Sequence, residues 1–276
     1  MLIYQLTNCT PKQMMCYIIK TKNGKVIAVD GGWYDQTEEL LKALSLVGNH
    51  VDMWFLTHDH CDHFGAMISV MTEHKEISVD KIYSNSTKNA AVLESFSSNE
   101  MAEYEEWIKF EESTDIPIER LSLGEKLSLD GVEIEVLGVN NTDILVNNPN
   151  NQSVVLRFCE DDFSFVFLGD LGIEGGNKLI ESVGEKLKST AVQMAHHGQA
   201  GVSKEVYEKI SPQYAFWPTP DWLWENNLYC GGGLPGSGHF QTPQTIEWMK
   251  EIGTENITSF TNTTVFDTTT KKVSEI

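Results

Sequence analysis

The sequence predicts a fold of mixed helices and strands, and its pattern fits two β-sheets that pack together with helices on the outside. Three observations lead to this expectation. Short apolar or alternating runs, typical of strands, are interleaved with segments of helical periodicity. Each half of the chain opens with several consecutive strand-like runs. Acidic residues and histidines gather directly after strand-like runs, where a fold of this kind presents catalytic groups.

The first half opens with three strand-like runs that suggest an antiparallel set. The elements predicted in order are strands at 2–7, 14–20 and 25–29, a helix at 37–47, a strand at 51–56, a helix at 65–74, a strand at 79–84 and a helix at 88–112. Thr37, followed by two glutamates, is a plausible start for the first helix. The last helix is acidic, and Met101, Tyr104, Trp107 and Ile108 form its inward stripe.

The second half repeats the change from strands to alternating elements. Its predicted elements are strands at 126–129, 132–138, 152–158, 163–168, 191–195 and 214–217, helices at 203–210 and from Thr242-Pro243 onward, and closing strands within 257–274. No linker rich in Pro, Ser or Gly divides the chain, so we expect residues 1–276 to form one domain. No apolar stretch reaches the roughly 18 residues that a membrane span needs.

One short run carries most of the functional signal. After the apolar run at 51–56 the chain reads His58-Asp-His60-Cys-Asp62-His63. Three imidazoles and the Asp62 carboxylate, in the spacing H-x-H-x-D-H, cannot all face inward from one regular helix or strand. A tight loop can turn them toward a common point, and this set of ligands suits zinc, iron or manganese.

This run resembles the signature of the metallo-β-lactamase superfamily. Other landmarks of that superfamily follow the same order: a strand that ends in Asp30-Gly-Gly, a strand that ends in Gly169-Asp170, and the run Ala195-His-His-Gly198. The last two are most similar to a hydrolase branch with the catalytic domain of bacterial DNA-uptake (competence) channel proteins and the phosphorylcholine esterases. The resemblance implies an α+β fold, a four-layer αβ/βα sandwich of two mixed β-sheets flanked by helices.

The resemblance also implies roles for individual side chains. His58 and His60 would bind a first metal ion, Asp62 and His63 a second, and Asp170 would bridge the two. Two divalent ions are expected, zinc first, with manganese or iron as alternatives. A hydroxide between them would be the nucleophile, which Asp62 would also orient. Asp30 would accept a hydrogen bond from a ligand histidine and so fix its tautomer.

The adjacent histidines His196 and His197 share one strand end, where neighbouring side chains diverge. One of them would bind metal while the other faces substrate or packs. Because Gly198 follows His197 as in the family's late ligand, we take His197 as the ligand. His196 remains the alternative ligand, or a catalytic residue that contacts substrate.

The sequence departs from the family pattern at the first metal. Many members carry a further histidine between the metal loop, as we call the run from His58 to His63, and the strand that ends in Gly169-Asp170. Here the only histidine in this interval is His74, which follows the metal loop too closely. The region of this sequence that corresponds to the missing histidine is 147–153. Within it, Asn151 is a candidate contact to the metal site, or part of an ordinary turn. His239 follows a glycine-rich loop and is a candidate to bind phosphate or protonate a leaving group, or a surface residue. Nearby Trp217, Trp222 and Trp224 form either an aromatic pocket or part of the core.

The charge composition restricts the class of substrate that the protein is expected to bind. The chain of 276 residues has a net charge of −20, and the segment 94–115 contains eight acids and one lysine. Such a surface repels a long polyanion, so binding of long nucleic acid is not expected. The five cysteines are scattered without paired zinc spacing, and the first residues lack the basic and apolar segments of a secretory signal, so we do not expect one. We therefore expect a cytoplasmic protein.

The expected function is metal-dependent hydrolysis of a small phosphodiester. The alternatives are hydrolysis of an ester, lactone or thioester at the same centre, a nuclease, and a catalytically silent metal-binding protein. The net charge of −20 argues against the nuclease, and the presence of nearly all ligands argues against the silent protein. The sequence predicts no oligomeric state.

Overall fold

The computed structural model of the protein describes residues 1–228 and 232–276. Its first large sheet contains the strands β1 (Leu2–Gln5), β2 (Cys16–Lys20), β3 (Val26–Asp30), β5 (Met53–Phe55), β7 (Ile82–Tyr83), β8 (Ile118–Glu119), β16 (Thr264–Asp267) and β17 (Lys272–Glu275). Their spatial order is β17-β16-β1-β2-β3-β5-β7-β8. Pairing is antiparallel from β17 to β3 and parallel from β3 to β8, so the sheet is mixed.

The second large sheet is built in the same way. It contains β9 (Lys126–Leu129), β10 (Val132–Gly138), β11 (Val155–Glu160), β12 (Phe163–Phe167), β13 (Ala191–Gln193), β14 (Tyr214–Trp217) and β15 (Glu255–Thr258), which follow one another in space as in the chain. Pairing is antiparallel from β9 to β12 and parallel from β12 to β15.

Helices cover the outer faces of both sheets. They are α1 (Thr37–Val47), α2 (Cys61–Glu73), α3 (Ala90–Glu94), α4 (Ser98–Ser113), α5 (Ile173–Val183), α6 (Lys204–Ile210), α7 (Asp221–Trp224) and α8 (Thr242–Ile252). Leu44 of α1, Phe64 of α2 and Trp107 of α4 pack on the first sheet. Val206 of α6 and Met249 of α8 pack on the second.

A third apolar core lies between the two sheets. Tyr17 and Phe55 from the first sheet meet Phe158 and Phe167 from the second, and all four side chains are fully buried. The rings cross edge to face, with 5.1 Å between the centroids of Tyr17 and Phe167 and 5.8 Å between those of Phe55 and Phe158. Three cores between four layers confirm the predicted αβ/βα sandwich with two mixed sheets.

Three predicted elements are divided in the structure, and one of them is the strand expected at 79–84, which forms β6 (Ser78–Val79) in a separate two-stranded sheet and β7 in the first large sheet. The helix expected at 88–112 is divided into α3 and α4, because Ser97 caps α4 through the Glu100 N–H and the Glu100 side chain accepts the Ser97 N–H. The strand expected at 51–56 is also divided. β4 (His50–Val51) pairs with β6 (Ser78–Val79) in a separate two-stranded sheet, and β5 continues in the first sheet.

The parallel strands of both large sheets end near one another. Asp30 ends β3, the metal loop follows β5, Asp170 follows β12, and His197 follows β13. The carboxyl ends of parallel strands are the usual place for a functional site in such folds. The topology therefore brings together residues from both halves of the chain.

Candidate metal centre

The metal loop is shorter than expected, because α2 starts at Cys61. His58 and His60 lie in the loop, whereas Asp62 and His63 belong to the first turn of the helix. His58 and His63 are fully buried at their side chains, and His58 Nε2 lies 2.9 Å from His60 Nδ1. The change from loop to helix turns the four side chains into two pairs, the division that the family resemblance implies.

Asp170 connects these pairs to the second half of the chain. Its Oδ2 lies 3.4 Å from His63 Nε2, 3.3 Å from His197 Nε2 and 4.0 Å from His58 Nε2. His197 Nε2 is also 3.1 Å from Asp62 Oδ2. Two of the three groups with metal-ligand spacing in the described part of the chain lie here: Asp62, His63, Asp170 and His197 form one, and His58, His60 and Asp170 form the other; the third consists of His50, Asp52 and Asp80. Asp170 is the member that both groups share.

The buried atoms of the first of these groups fit a metal ion. His63 Nε2, His197 Nε2 and Asp170 Oδ1 make no hydrogen bond of good geometry within the described part of the chain, although all three are buried. A buried polar atom without a partner is costly, so such atoms indicate a missing ligand. Two imidazoles and two carboxylates are a donor set that zinc, iron and manganese accept.

The electrostatics of the centre point the same way. Burial alone would lower the pKa of His197, but Asp170 and Asp62 outweigh it and raise the pKa to about 10. His63 shows the same balance, and its pKa is raised well above the usual range mainly by Asp170 and Asp30. Burial lowers the pKa of His58, and the neighbouring imidazoles of His63 and His60 add to this. The group around His63 and His197 thus attracts positive charge.

Asp30 supports the centre from behind. It is fully buried, and its carboxylate accepts hydrogen bonds from the Thr57 N–H and the Thr57 hydroxyl, both at 2.8 Å. The other contact is to His63 Nδ1, at 2.7 Å. A carboxylate acceptor keeps the proton on Nδ1, so that Nε2 carries the lone pair that a metal needs. This geometry agrees with the role expected for Asp30.

The two adjacent histidines have different surroundings. Both have left-handed backbone angles, with φ of 50° at His196 and 54° at His197. His197 is buried and directs Nδ1 to the Pro218 carbonyl, 3.0 Å away. The His196 side chain is 20% exposed, and its Nε2 lies 4.0 Å from Asp170 Oδ2. His197 is therefore positioned as a ligand, and His196 faces the open side of the centre.

The turn that carries these histidines depends on a close approach. Gly198 has a φ of +78°, and a Cβ at this position would lie 2.5 Å from the ring of Trp217. A larger residue is therefore excluded by both backbone angle and contact. Trp217 is fully buried and packs against Trp224. These two of the three tryptophans therefore belong to the apolar core on the second sheet.

The Asn151 side chain bonds mainly to backbone groups. Its amide Oδ1 accepts the N–H groups of Gly172 and Gly175, and its Nδ2 donates to the Val146 carbonyl and to Glu174. With its donor and acceptor groups used in this way, Asn151 stabilises the turn after Asp170 and makes no described contact with the metal-binding side chains. These contacts favour the alternative interpretation of Asn151, part of an ordinary turn, over a contact with the metal site.

Two residues that hold the backbone at Asp170 and the residues before it in place escaped the sequence prediction. Ser153 accepts the Asp170 N–H, at 3.1 Å. Gln193 is fully buried, accepts the N–H groups of Leu168 and Gly169, and donates to the Gly169 carbonyl. A glutamine inside an otherwise apolar strand was the available signal, because a buried amide must find partners.

A cavity of about 310 Å³ opens above the centre. It is lined by His60, Asp62, Asp170 and His196 together with Lys12, Gln13, Trp33, Glu103, Gln199, Trp222 and Phe240. His239 is exposed and stacks on Phe240, with 4.7 Å between the ring centroids. His239 does not line the cavity itself, but its neighbour in the chain, Phe240, does.

Comparison with known proteins identifies the family. The chain matches the family model of the β-lactamase superfamily domain over residues 25–259. Because this match covers most of the chain, the protein belongs to the metallo-β-lactamase superfamily of metal-dependent hydrolases. A comparison with curated protein sequences finds no match.

Solved structures share the fold at low identity. The metallo-β-lactamase fold protein YhfI from Bacillus subtilis is 10% identical, with a TM-score of 0.56 over 97% of this chain and 100% of that one. CmlA, a diiron β-hydroxylase from Streptomyces venezuelae, is also 10% identical, with a TM-score of 0.56 over 100% of this chain and 54% of that one. At these identities the likeness shows the fold alone. None of the described helices combines the length and apolar character needed to cross a membrane.

Proposed function

We propose that this protein is a hydrolase with two divalent metal ions and that its substrate is a small phosphodiester. The position of Asp170 carries the proposal. Its Oδ2 lies 3.3 Å and 3.4 Å from the Nε2 atoms of His197 and His63, and 4.0 Å from that of His58. One carboxylate therefore faces both groups of candidate ligands, as a bridging ligand must.

The proposed ligands divide between the two groups. His58 and His60 would hold one ion, Asp62, His63 and His197 the other, and Asp170 both. Zinc is the first expectation for these donors, with manganese and iron as alternatives. Bound divalent ions supply a hydroxide nucleophile at neutral pH and stabilise the negative charge that develops on the scissile group.

The side chains around the ligands have separate tasks. Asp30 holds the proton on His63 Nδ1, and Asp62 orients the attacking water. His196 faces the cavity with its Nε2 4.0 Å from Asp170 Oδ2, a position that supports a hydrogen bond or proton transfer to the leaving group.

The size and charge of the cavity favour a small substrate. A volume of about 310 Å³ is at the lower end for small-molecule sites. Among the lining residues, Lys12 is the only lysine or arginine, and its Nζ lies 3.1 Å from Asp35. A long nucleic acid would cross the acidic face of α4 and meet repulsion that is strongest at low salt.

Hydrolysis of a carbonyl substrate is the second candidate. Esters, lactones and thioesters would use the same centre, and the aromatic walls of Trp33, Trp222 and Phe240 accept an apolar acyl group as readily as a phosphodiester substituent. A nuclease and a silent metal-binding protein remain the weaker alternatives. A reducing, cytoplasmic setting belongs to the proposal and is supported by free thiols at Cys9, Cys16, Cys61 and Cys159; Cys230 lies outside the described residues.

One experiment tests the function directly. The protein is purified without added metal, its metal content is measured, and it is assayed with bis-p-nitrophenyl phosphate, p-nitrophenyl phosphorylcholine, a lactone and a thioester. We expect two transition-metal ions per chain and the highest kcat/KM on a phosphodiester. Absence of metal uptake at neutral pH would refute the metal centre, whereas a preference for lactone or thioester would replace the phosphodiesterase proposal by its alternative.

The role of His239 is tested on the same substrates. His239→Ala should slow turnover while metal content stays at the parental value, because this residue lies beside the cavity wall and outside the ligand groups. His74→Ala is a matched control, since His74 lies at the C-terminal end of α2, is absent from the cavity wall and belongs to none of the described groups with metal-ligand spacing. Equal activity of the two variants would remove His239 from the proposal. Tight, salt-sensitive DNA binding by the parent would favour the nuclease.

A further inference from the structure

The N-terminus of α2 is capped from outside its own segment. His60 occupies the N-cap position, yet its side chain makes no capping hydrogen bond. The free Cys61 N–H is bound instead by Glu103 Oε2 of α4, at 2.9 Å. A carboxylate at this end of a helix satisfies an exposed donor and interacts favourably with the helix dipole.

The position of Glu103 is fixed by the packing of α4. Trp107 lies one turn further along the same face, is fully buried, and packs against Phe64 of α2 with 5.8 Å between the ring centroids. The start of α4 is fixed by the hydrogen bonds between Ser97 and Glu100. Glu103 is thus held between two anchored points and directed at the first turn of α2.

The same carboxylate lies in the wall of the cavity. Glu103 lines it together with His60 and Asp62, and the residues that follow Cys61 are the proposed ligands Asp62 and His63. Burial raises the pKa of Glu103, the Cys61 N–H opposes this, and Asp62 adds to the rise. Glu103 is therefore close enough to the ligand turn to influence it, although it belongs to neither ligand group.

We propose that Glu103 is a positioning residue, which holds the Cys61 N–H and thereby fixes the directions in which Asp62 and His63 present their donor atoms. This inference rests on the proposed metal centre. Without the cap, the first turn of α2 frays, and the pair of ligands that this turn carries loses its orientation. The contact reaches His60 only through the peptide bond that joins it to Cys61, and His58 lies two residues further from the helix.

The test is a titration of the metal-free protein with zinc, in which isothermal titration calorimetry measures the affinity for each ion. Glu103→Ala should weaken binding of one of the two ions by about tenfold or more, the usual range for a residue that orients a ligand, and weaken the other ion less. Glu103→Gln keeps an oxygen that accepts the Cys61 N–H, so it should restore most of the lost affinity. Excess zinc should raise the kcat of the alanine variant toward the parental value.

Glu105 provides the matched control, because it lies on the same helix and is exposed. Glu105→Ala should titrate like the parent. The inference is overturned if Glu103→Ala binds both ions with parental affinity, if both ions weaken equally, or if glutamine is no better than alanine. A parent protein that takes up no zinc would instead refute the metal centre itself, and the inference with it.

Discussion

Substitution of Asp30 by asparagine changes one atom and tests how the centre is held. The new amide in Asp30→Asn keeps an oxygen for the Thr57 N–H but turns its NH₂ group toward His63 Nδ1, which in the parent lies 2.7 Å from a carboxylate oxygen. The charge-assisted hydrogen bond to His63 is lost, and such bonds contribute about 1.5–3 kcal/mol. His63 must then accept at Nδ1 and carry its proton on Nε2, the atom proposed to bind metal.

Two measurements follow from this change. The free energy of unfolding of the metal-free protein, from urea denaturation, should fall by about 1.5–3 kcal/mol. Zinc affinity at the His63 group should fall by about 10-fold to 100-fold. Asp115→Asn is the control, since Asp115 is exposed. If Asp30→Asn binds two ions with parental affinity, the tautomer of His63 does not depend on Asp30 and the reasoning fails.

Three further predictions concern the centre, the core and pH. Asp170→Ala should retain its circular dichroism spectrum but lose turnover and at least one ion; parental activity would make Asp170 only a turn residue. Trp107→Ala should lower the free energy of unfolding by about 3–5 kcal/mol, and Trp107→Phe by much less in the same urea assay. Burial alone would raise the pKa of Asp52, yet Lys25 helps to lower it overall, so its ionised form stabilises the fold above the unfolded pKa of about 4. This contribution is lost as pH falls through the folded pKa. The parent should therefore lose more stability than Asp52→Asn between about pH 5 and pH 2, and parallel pH profiles would contradict this.

Local patterns predicted the parts of the centre that are local. The candidate ligands from His58 to His63 lie within six consecutive residues, and Asp170 stands directly after an apolar strand. Both features could therefore be recognised from neighbouring residues in the sequence. The order of strands and helices gave the sandwich once the family resemblance was added. Its assignment as a single domain stays a prediction.

Residues that act across the fold could not be read in this way. Glu103 contacts Cys61 from another helix, and nothing in the sequence between them specifies this contact. The break before α4 depends on Ser97 as a cap, within a region whose acidic composition suggested one continuous helix. For Asn151 the sequence left a metal-site contact and an ordinary turn as alternatives, and only its hydrogen bonds to Gly172, Gly175 and Val146 show that it holds the backbone of a turn.

The proposed metal ligands come from segments that follow strands of both large sheets, and this has a consequence for the lifetime of the protein. Asp62 and His63 follow the first sheet, whereas Asp170 and His197 follow the second, so a bound ion would act as a removable cross-link across the seam between them. Ligand at 100 times its dissociation constant stabilises a folded state by about 2.7 kcal/mol. A cell short of metal would then hold a protein whose seam opens more often to proteases, so supply of the ion would govern abundance as well as activity.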